Sequence, residues 1–500
     1  MLNKRIEKLY QNFKVQILAE TDNDKLILKT QELVFFCWMN YPLRFTDKEI
    51  EDKVTKAMLP PVATTSQSGK NHVVYIATTV FEVGGHSRCI INFIDNIKDK
   101  KHSVILTSQK KGLPANIEAF FQQNGVDCFM LSDKEKPTEK ARALREKVIE
   151  LAPSEVFLFH HANDLLPLMA FGNYKPCKIT LYNHGDHIFW LAGKWFTEVF
   201  DFRKIGAMIT KYGRSVAETK IVCLPVSNEY ELADRSVSKQ KIGLNSGNRI
   251  IGTLTNFSKI QPFKSEQSIV QLILNWAIDL PHCTFMIIGI SSGQFKQLVA
   301  STVEIPDNIK CLGIVADPEM YYQAFDFFIE PYPMGSGLGI IEACKYGAIP
   351  VFSAHPCKLA SSFEAFHESI QHLFKQPASA AELNSDFYEI LSRSDDELFA
   401  LSKTVRELIY RHHRGSEWVQ SLHRPSAIVD YVVDVKAEAG FLQVYLGKTA
   451  KVLFNDLLKL KQLVTKPVIR TFFIGKYAVY SIFSLSFKNW KQLGFRLMKD

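Results

Sequence analysis

The chain has 500 residues, 46% of them hydrophobic and 22% charged, a globular composition too long for one ordinary core and therefore expected to form two or three domains. Its net charge of +8 is gathered at one end: residues 448–500 carry eleven Lys and Arg against two Asp and Glu, +9, which leaves the other 447 residues at −1 and excludes a basic surface spread over the whole molecule, so no nucleic-acid partner is expected. Nine scattered cysteines without a C-x-x-C exclude a disulfide framework and a zinc module, and predict reduced thiols in a cytoplasm.

In chain order, residues 1–69 read as a helical N-terminal extension and linker. LNKRIEKLYQNFKVQIL and TQELVFFCWMNYPL space apolar residues three and four apart, and TTSQSGK is a polar linker. The N-terminus lacks the apolar core of a signal peptide. Asp22-Asn23-Asp24 has the form of a metal–nucleotide D-x-D, but it follows no strand and reads as a turn between helices. Residues 70–246 alternate apolar β-rich runs, at 73–80, 104–107, 127–131, 156–160, 179–182, 207–210 and 221–224, with helical patterns such as 86–97 and 140–151. Residues 247–420 do the same, with strands expected at 249–253, 285–289, 310–314, 327–329 and 350–352, and end in an amphipathic helix at Asp395–His412. Repeated strand–helix alternation predicts two parallel, doubly wound sheets, an α/β fold of two Rossmann-like domains whose ligands lie beyond the carboxyl ends of the strands. Residues 421–500 form a basic tail read as a helical C-terminal extension. Its apolar, aromatic stretch 471–487 is interrupted by Lys476 and flanked by Lys466, Arg470, Lys488, Lys491 and Arg496. It is too short to span a bilayer, which takes about twenty apolar residues. Either it lies on an anionic membrane surface or it packs as a terminal helix on the first domain.

Five stretches carry candidate chemistry. At 330–350, EPYPMGSGLGIIEACKYGAIP, a short apolar strand runs into a glycine loop and a helix that Gly347 and Pro350 stop. Backbone N–H groups of Ser336, Gly337, Leu338 and Gly339 at such a helix start form an anion site, suited to a pyrophosphate. Glu342, in the first turns, is suited to accept from sugar hydroxyls. Gly84 and Gly85, with His86, follow the first strand and allow close approach of a ligand; they are not a G-x-G-x-x-G, so no dinucleotide cofactor is indicated. Asn183-His184-Gly185-Asp186-His187 gathers titratable groups at a strand end beside Phe189 and Trp190. His187 and His184 are candidate bases, with Asp186 orienting an imidazole. No metal-ligand pattern is visible there. His160-His161 closes another strand and ranks below them, because adjacent strand residues face opposite ways. Lys259, in TNFSKIQP, is a flexible point charge for a diphosphate, and Arg203 and Arg214 are either phosphate grips or surface residues.

These motifs carry a resemblance. The run PYPMGSGLGIIEA looks like the donor-binding segment of GT-B glycosyltransferases. In the large retaining group that segment reads E-G-F-G-L-x-x-x-E; here Met334 replaces the first glutamate, Gly337-Leu338 match, and Glu342 matches the second. The run is also similar to the P-F-x-F-G-N-T-N-G-I-[IV]-D segment of the inverting bacterial cytoplasmic N-glycosyltransferases, relatives of O-GlcNAc transferase, in which the lysine matched by Lys259 meets the donor pyrophosphate. The first glycine loop resembles the one that faces the GT-B cleft, and Asn183 to Leu191 resembles N-H-x-D-H-x-F-W-L-G segments of glycosyltransferase-like bacterial proteins. The resemblance implies two domains facing a cleft. It implies a nucleotide-diphosphate sugar donor with no further cofactor or metal, and a glycan, lipid-linked or protein acceptor in cell-surface glycan synthesis, either in the cytoplasm or at the inner face of the plasma membrane. A sugar-nucleotide epimerase or hydrolase, and a non-catalytic glycosyltransferase-like partner protein, are the competing readings.

Overall fold

The computed structural model describes residues 2–40, 42–62, 71–193, 195–216, 218–228, 234–260, 268–355 and 358–424, together with two three-residue strands, Phe472–Ile474 and Tyr477–Val479. The first sheet is wholly parallel and has seven strands: β1 (His72–Ala77), β2 (Lys101–Leu106), β3 (Asp127–Met130), β4 (Glu155–Phe159), β5 (Lys178–Tyr182), β6 (Glu198–Asp201) and β7 (Thr219–Ile221). Their order is β3-β2-β1-β4-β5-β6-β7. The second sheet is also parallel. Its strands are β8 (Arg249–Leu254), β9 (Cys283–Ile288), β10 (Ile309–Gly313), β11 (Phe327–Ile329) and β12 (Ile349–Val351), in the order β10-β9-β8-β11-β12. In both sheets the order reverses beside the first strand, at β1/β4 and at β8/β11. Adjacent loops diverge at such a point and open a crevice. The central strands are buried on both faces and are correspondingly rich in Val, Ile and Phe.

One expected strand is a helix. The run at 207–210 lies in a short helix, Lys204–Met208, that widens into a π-turn at Ile209–Gly213. The sixth strand is instead Glu198–Asp201, whose charged ends hide it from an apolar-run reading. A four-residue apolar stretch fits a buried helix as well as a strand.

The N-terminal helices α1 (Leu2–Ala19), α2 (Asn23–Met39) and α3 (Lys48–Thr55) are built into the outer layer of the first domain. Tyr10, Ile17, Ile27 and Leu33 share a core with Leu144, Val148 and Phe189. Asp22 caps α2, accepting from Lys25 N at 2.9 Å, and Asp24 accepts from Thr138 N at 2.8 Å, so the D-x-D is a helix start tied to the first turn of the helix Pro137–Leu151. At the other end the helix Asp395–His412, capped by Ser394, leads into Gly415–Ser421, which returns to the first domain. There Trp418 is fully buried against Phe93, ring centroids 4.9 Å apart, and its Nε1 donates to Cys223 O at 2.8 Å. Among the described residues no helix is long and apolar enough to cross a membrane. The tail, and with it the membrane reading of 471–487, lies outside the described residues except for the two short strands. These pair antiparallel where a helix is expected, in keeping with their aromatic and β-branched residues.

Candidate active site

The second domain builds its part of the site at the β8/β11 reversal. After β8, the Asn256 side chain accepts from Ser258 Oγ at 2.6 Å and from Lys259 N at 3.1 Å, a tight turn that presents Lys259. After β11 comes Glu330, a fully buried carboxylate that sequence reading passed over. It accepts from the backbone N–H of Ser353 at 3.1 Å and from that of Ser362, and so shapes the glycine loop from beneath. A side chain at Gly335 would run into the Glu330 carboxylate and the Ser362 hydroxyl, and for that reason glycine stands there. Lys259 Nζ donates to Gly335 O at 2.9 Å, and Met334 N bonds to Lys259 O, so the lysine lies along the loop. Burial brings its ammonium down to about 8, against the opposing pull of Glu330. Ser336 is the N-cap of the helix Gly337–Lys345, so Ser336, Gly337, Leu338 and Gly339 supply its cap and first turn. The helix ends at Gly347, φ +85°.

The first domain presents the β1/β4 reversal. The helix α4 (Gly85–Asn96), with Gly84 as its N-cap, follows β1 and carries His86 in its first turn. His86 Nε2 lies 2.5 Å from Phe159 O at the end of β4. That bond places the ring proton on Nε2 and leaves Nδ1 as a buried lone pair that no described group engages. His161 and His184 complete a cluster, with ring centroids 5.3 and 4.3 Å from that of His86. Burial holds all three imidazoles below their ordinary value, His86 down to about 3 and His184 well below it, and neighbouring histidines add to the lowering in His86 and His184. They are neutral at neutral pH. His160 faces the other way, towards Phe196. Among the described residues no three His, Cys, Asp or Glu side chains are placed to hold a metal ion.

His187 turns from that cluster to Asp186, with Nδ1 3.2 Å from Oδ1. Asp186 is 0% exposed, and its main partner is Arg203, 6% exposed, whose Nε and Nη2 donate to the two carboxylate oxygens at 2.8 and 2.5 Å. Burial alone would raise this carboxyl; the guanidinium and the His187 bond outweigh it and hold Asp186 well below the usual carboxylate range. The same Arg203 crosses to the second domain, where Nη1 donates to Leu359 O at 2.7 Å and Ser361 O at 2.9 Å. Arg214, also buried, donates from Nη2 to the backbone oxygens of Asp186 and Ile188 and stacks over Trp190 at 4.4 Å. Neither arginine is a surface residue: both are buried and hold the 183–191 loop.

Beneath the loop lies a second buried carboxylate, Asp201, which accepts from Asn183 Nδ2 and Thr219 Oγ1, each at 2.6 Å. Burial pushes it up to about 6. An acid whose folded value is raised binds its proton more tightly when folded, so its contribution to stability falls as pH rises from about 4 to about 6. Asp201→Asn removes that titration. Between pH 4 and pH 7 the stability difference in urea unfolding should move in the variant's favour by about 2–3 kcal/mol, the product of two pKa units and 1.36 kcal/mol.

The two halves meet. A side chain on Gly85 would lie 3.8 Å from Leu338, so the glycine loop of the first domain faces the helix start of the second. Alongside, Arg88 Nε donates to Glu342 Oε1 at 3.1 Å, and its Nη2 pairs with Glu319. Glu342, expected at a ribose, is thus bound to an arginine of the opposite domain. No family model and no curated protein matches the sequence. Solved structures do match. A glycosyltransferase from Rickettsia africae is 13% identical, over 71% of this chain and 97% of that one, with a TM-score of 0.52. A mutant O-GlcNAc transferase of Thermobaculum terrenum is 12% identical, over 90% of this chain and 79% of that one, with a TM-score of 0.51. The fold is GT-B. In GT-B terms, the cleft runs between the Gly84 and Gly85 loop with its histidines on one side and Lys259 with the 335–339 loop on the other.

Proposed function

We propose that this chain is a glycosyltransferase that takes a sugar from a nucleotide-diphosphate donor to an acceptor hydroxyl or amide. The observation that carries the reading is the convergence of Lys259 and the Gly337–Lys345 helix start on one glycine loop, at the strand-order reversal that faces His86 across the cleft. A departing nucleoside diphosphate needs positive charge. Lys259 supplies one unit, and a helix N-terminus supplies about half a unit through unpaired N–H groups. These groups are fixed before the donor arrives, so they need little reorganisation during transfer. On the opposite wall His86 is neutral and has a free Nδ1, the form in which an imidazole can take a proton from the acceptor as it attacks. The division of labour is donor on the second domain, acceptor and base on the first, with transfer across the contact of the two loops.

Titration calorimetry with UDP, GDP and ADP tests the donor site. At least one should bind the wild type, and Lys259→Ala should bind it about ten- to a hundred-fold more weakly, the loss of one charge-assisted hydrogen bond of about 1.5–3 kcal/mol. Equal affinity in the variant would remove Lys259 from the site.

A further inference from the structure

Arg88 is placed for more than closing the interface. It lies in the first turn of α4, two residues after His86, and reaches across the cleft to two separate elements of the second domain. One arm holds Glu342, on the helix that begins at the glycine loop; the other holds Glu319, which opens a short helix, Glu319–Tyr322, and whose backbone N–H is fixed by Asp317. One guanidinium bridges two carboxylates, and Lys345 lies close enough for its charge to act on both, so a cation remains beside Glu342 and Glu319 when the arginine turns to a more highly charged partner. Glu342 lies five residues along the helix from Gly337, about 7.5 Å at 1.5 Å per residue, within the sweep of an arginine side chain anchored beside the loop contact of Gly85 and Leu338. A diphosphate on that loop carries more charge than Lys259 and a helix dipole neutralise, and a planar guanidinium can grip two phosphate oxygens at once.

We propose that Arg88 is a diphosphate-positioning residue: the guanidinium that bridges Glu342 and Glu319 turns to the phosphates of a bound nucleoside diphosphate, while the ribose hydroxyls take over Glu342. The proposal rests on the donor-site reading above. It makes the domain contact sensitive to occupancy, because the same side chain that ties the two domains together becomes a ligand of the donor.

The test compares UDP, UMP and uridine by calorimetry on the full chain, with Arg88→Ala and Arg88→Lys beside the wild type. Arg88→Ala should weaken UDP at least ten-fold and leave uridine within about two-fold, with UMP between them. Arg88→Lys, which keeps the charge but loses the fork, should recover part of the UDP affinity. A purely structural clasp would instead change all three ligands alike, and that result, or unchanged UDP binding in Arg88→Ala, overturns the assignment. If UDP fails to bind the wild type, GDP with GMP and guanosine, then ADP with AMP and adenosine, take its place. Failure of all three diphosphates on the wild type overturns the donor site itself, and the role of Arg88 with it.

Discussion

Asp186→Ala should lower the unfolding free energy by about 3–5 kcal/mol, the range for removing one partner of a buried ion pair. The carboxylate is completely enclosed, and both its oxygens accept from Arg203, itself nearly enclosed. Truncating the acid takes from a nearly enclosed guanidinium the carboxylate to which its Nε and Nη2 both donate, and leaves its bonds to two backbone carbonyls of the second domain. That desolvated cation is the main source of the loss; the missing His187 bond adds little. Arg203→Met in the Asp186→Ala background should therefore recover a large part of the stability, since replacing both members of a buried pair by apolar groups is often close to neutral. Urea unfolding followed by circular dichroism measures all four corners of the cycle. A loss under 1 kcal/mol in the single variant would mean that the pair is not the anchor described.

His86→Ala should reduce turnover by about 10²–10⁴-fold while the donor KM changes little, as expected when a general base is removed and ground-state donor contacts are kept. Its ring is fixed by the Phe159 carbonyl with Nδ1 unprotonated. Burial, more than the neighbouring His161, brings its pKa down to about 3. The sign of the pH dependence follows. A base is lost as pH falls through its pKa, so kcat/KM should stay level from pH 7, below the Lys259 value of about 8, down to pH 5, where a histidine of ordinary pKa would already have lost most of its activity. His187→Ala and His184→Ala belong in the same series. His187 is tied to a carboxylate whose charge is already committed to Arg203, so its removal should cost less turnover than that of His86. A larger loss in His187→Ala than in His86→Ala would move the base to the 183–191 loop.

Much of this architecture was legible in the residues. Ten of the twelve sheet strands fall where apolar β-rich runs predict them, β7 shares only Ile221 with its run, and the glycine loop with its helix reads directly from 330–350, because strand, loop and helix signals there are local. The exceptions have physical causes. Glu198–Asp201 is a four-residue strand with charged ends, and Ala207 to Thr210 is an apolar run too short to declare its period. Burial of Arg203 and Arg214 is invisible in sequence, since the partners that make it tolerable are Asp186 and backbone carbonyls brought together only by the fold. Glu330 offered a weak signal, a charge immediately after an apolar strand. That His161 rather than His160 joins His86 and His184 is not legible either, since strand alternation says that the two face opposite ways but not which loop each will meet. The contact of Arg88 with Glu342 joins residues 254 positions apart in the two domains, and nothing local marks either one for the other.

The most direct test of sugar transfer is release of nucleoside diphosphate from UDP-, GDP- and ADP-linked sugars, measured with and without a cell-envelope extract as acceptor and followed by analysis of the sugar product. The account predicts that one donor class is consumed faster when acceptor is present, with the sugar recovered covalently on a component of the extract and with His86→Ala nearly inactive. Conversion of the donor to its epimer with the nucleotide still attached, release at the same rate with or without acceptor, or no consumption of any donor would contradict it.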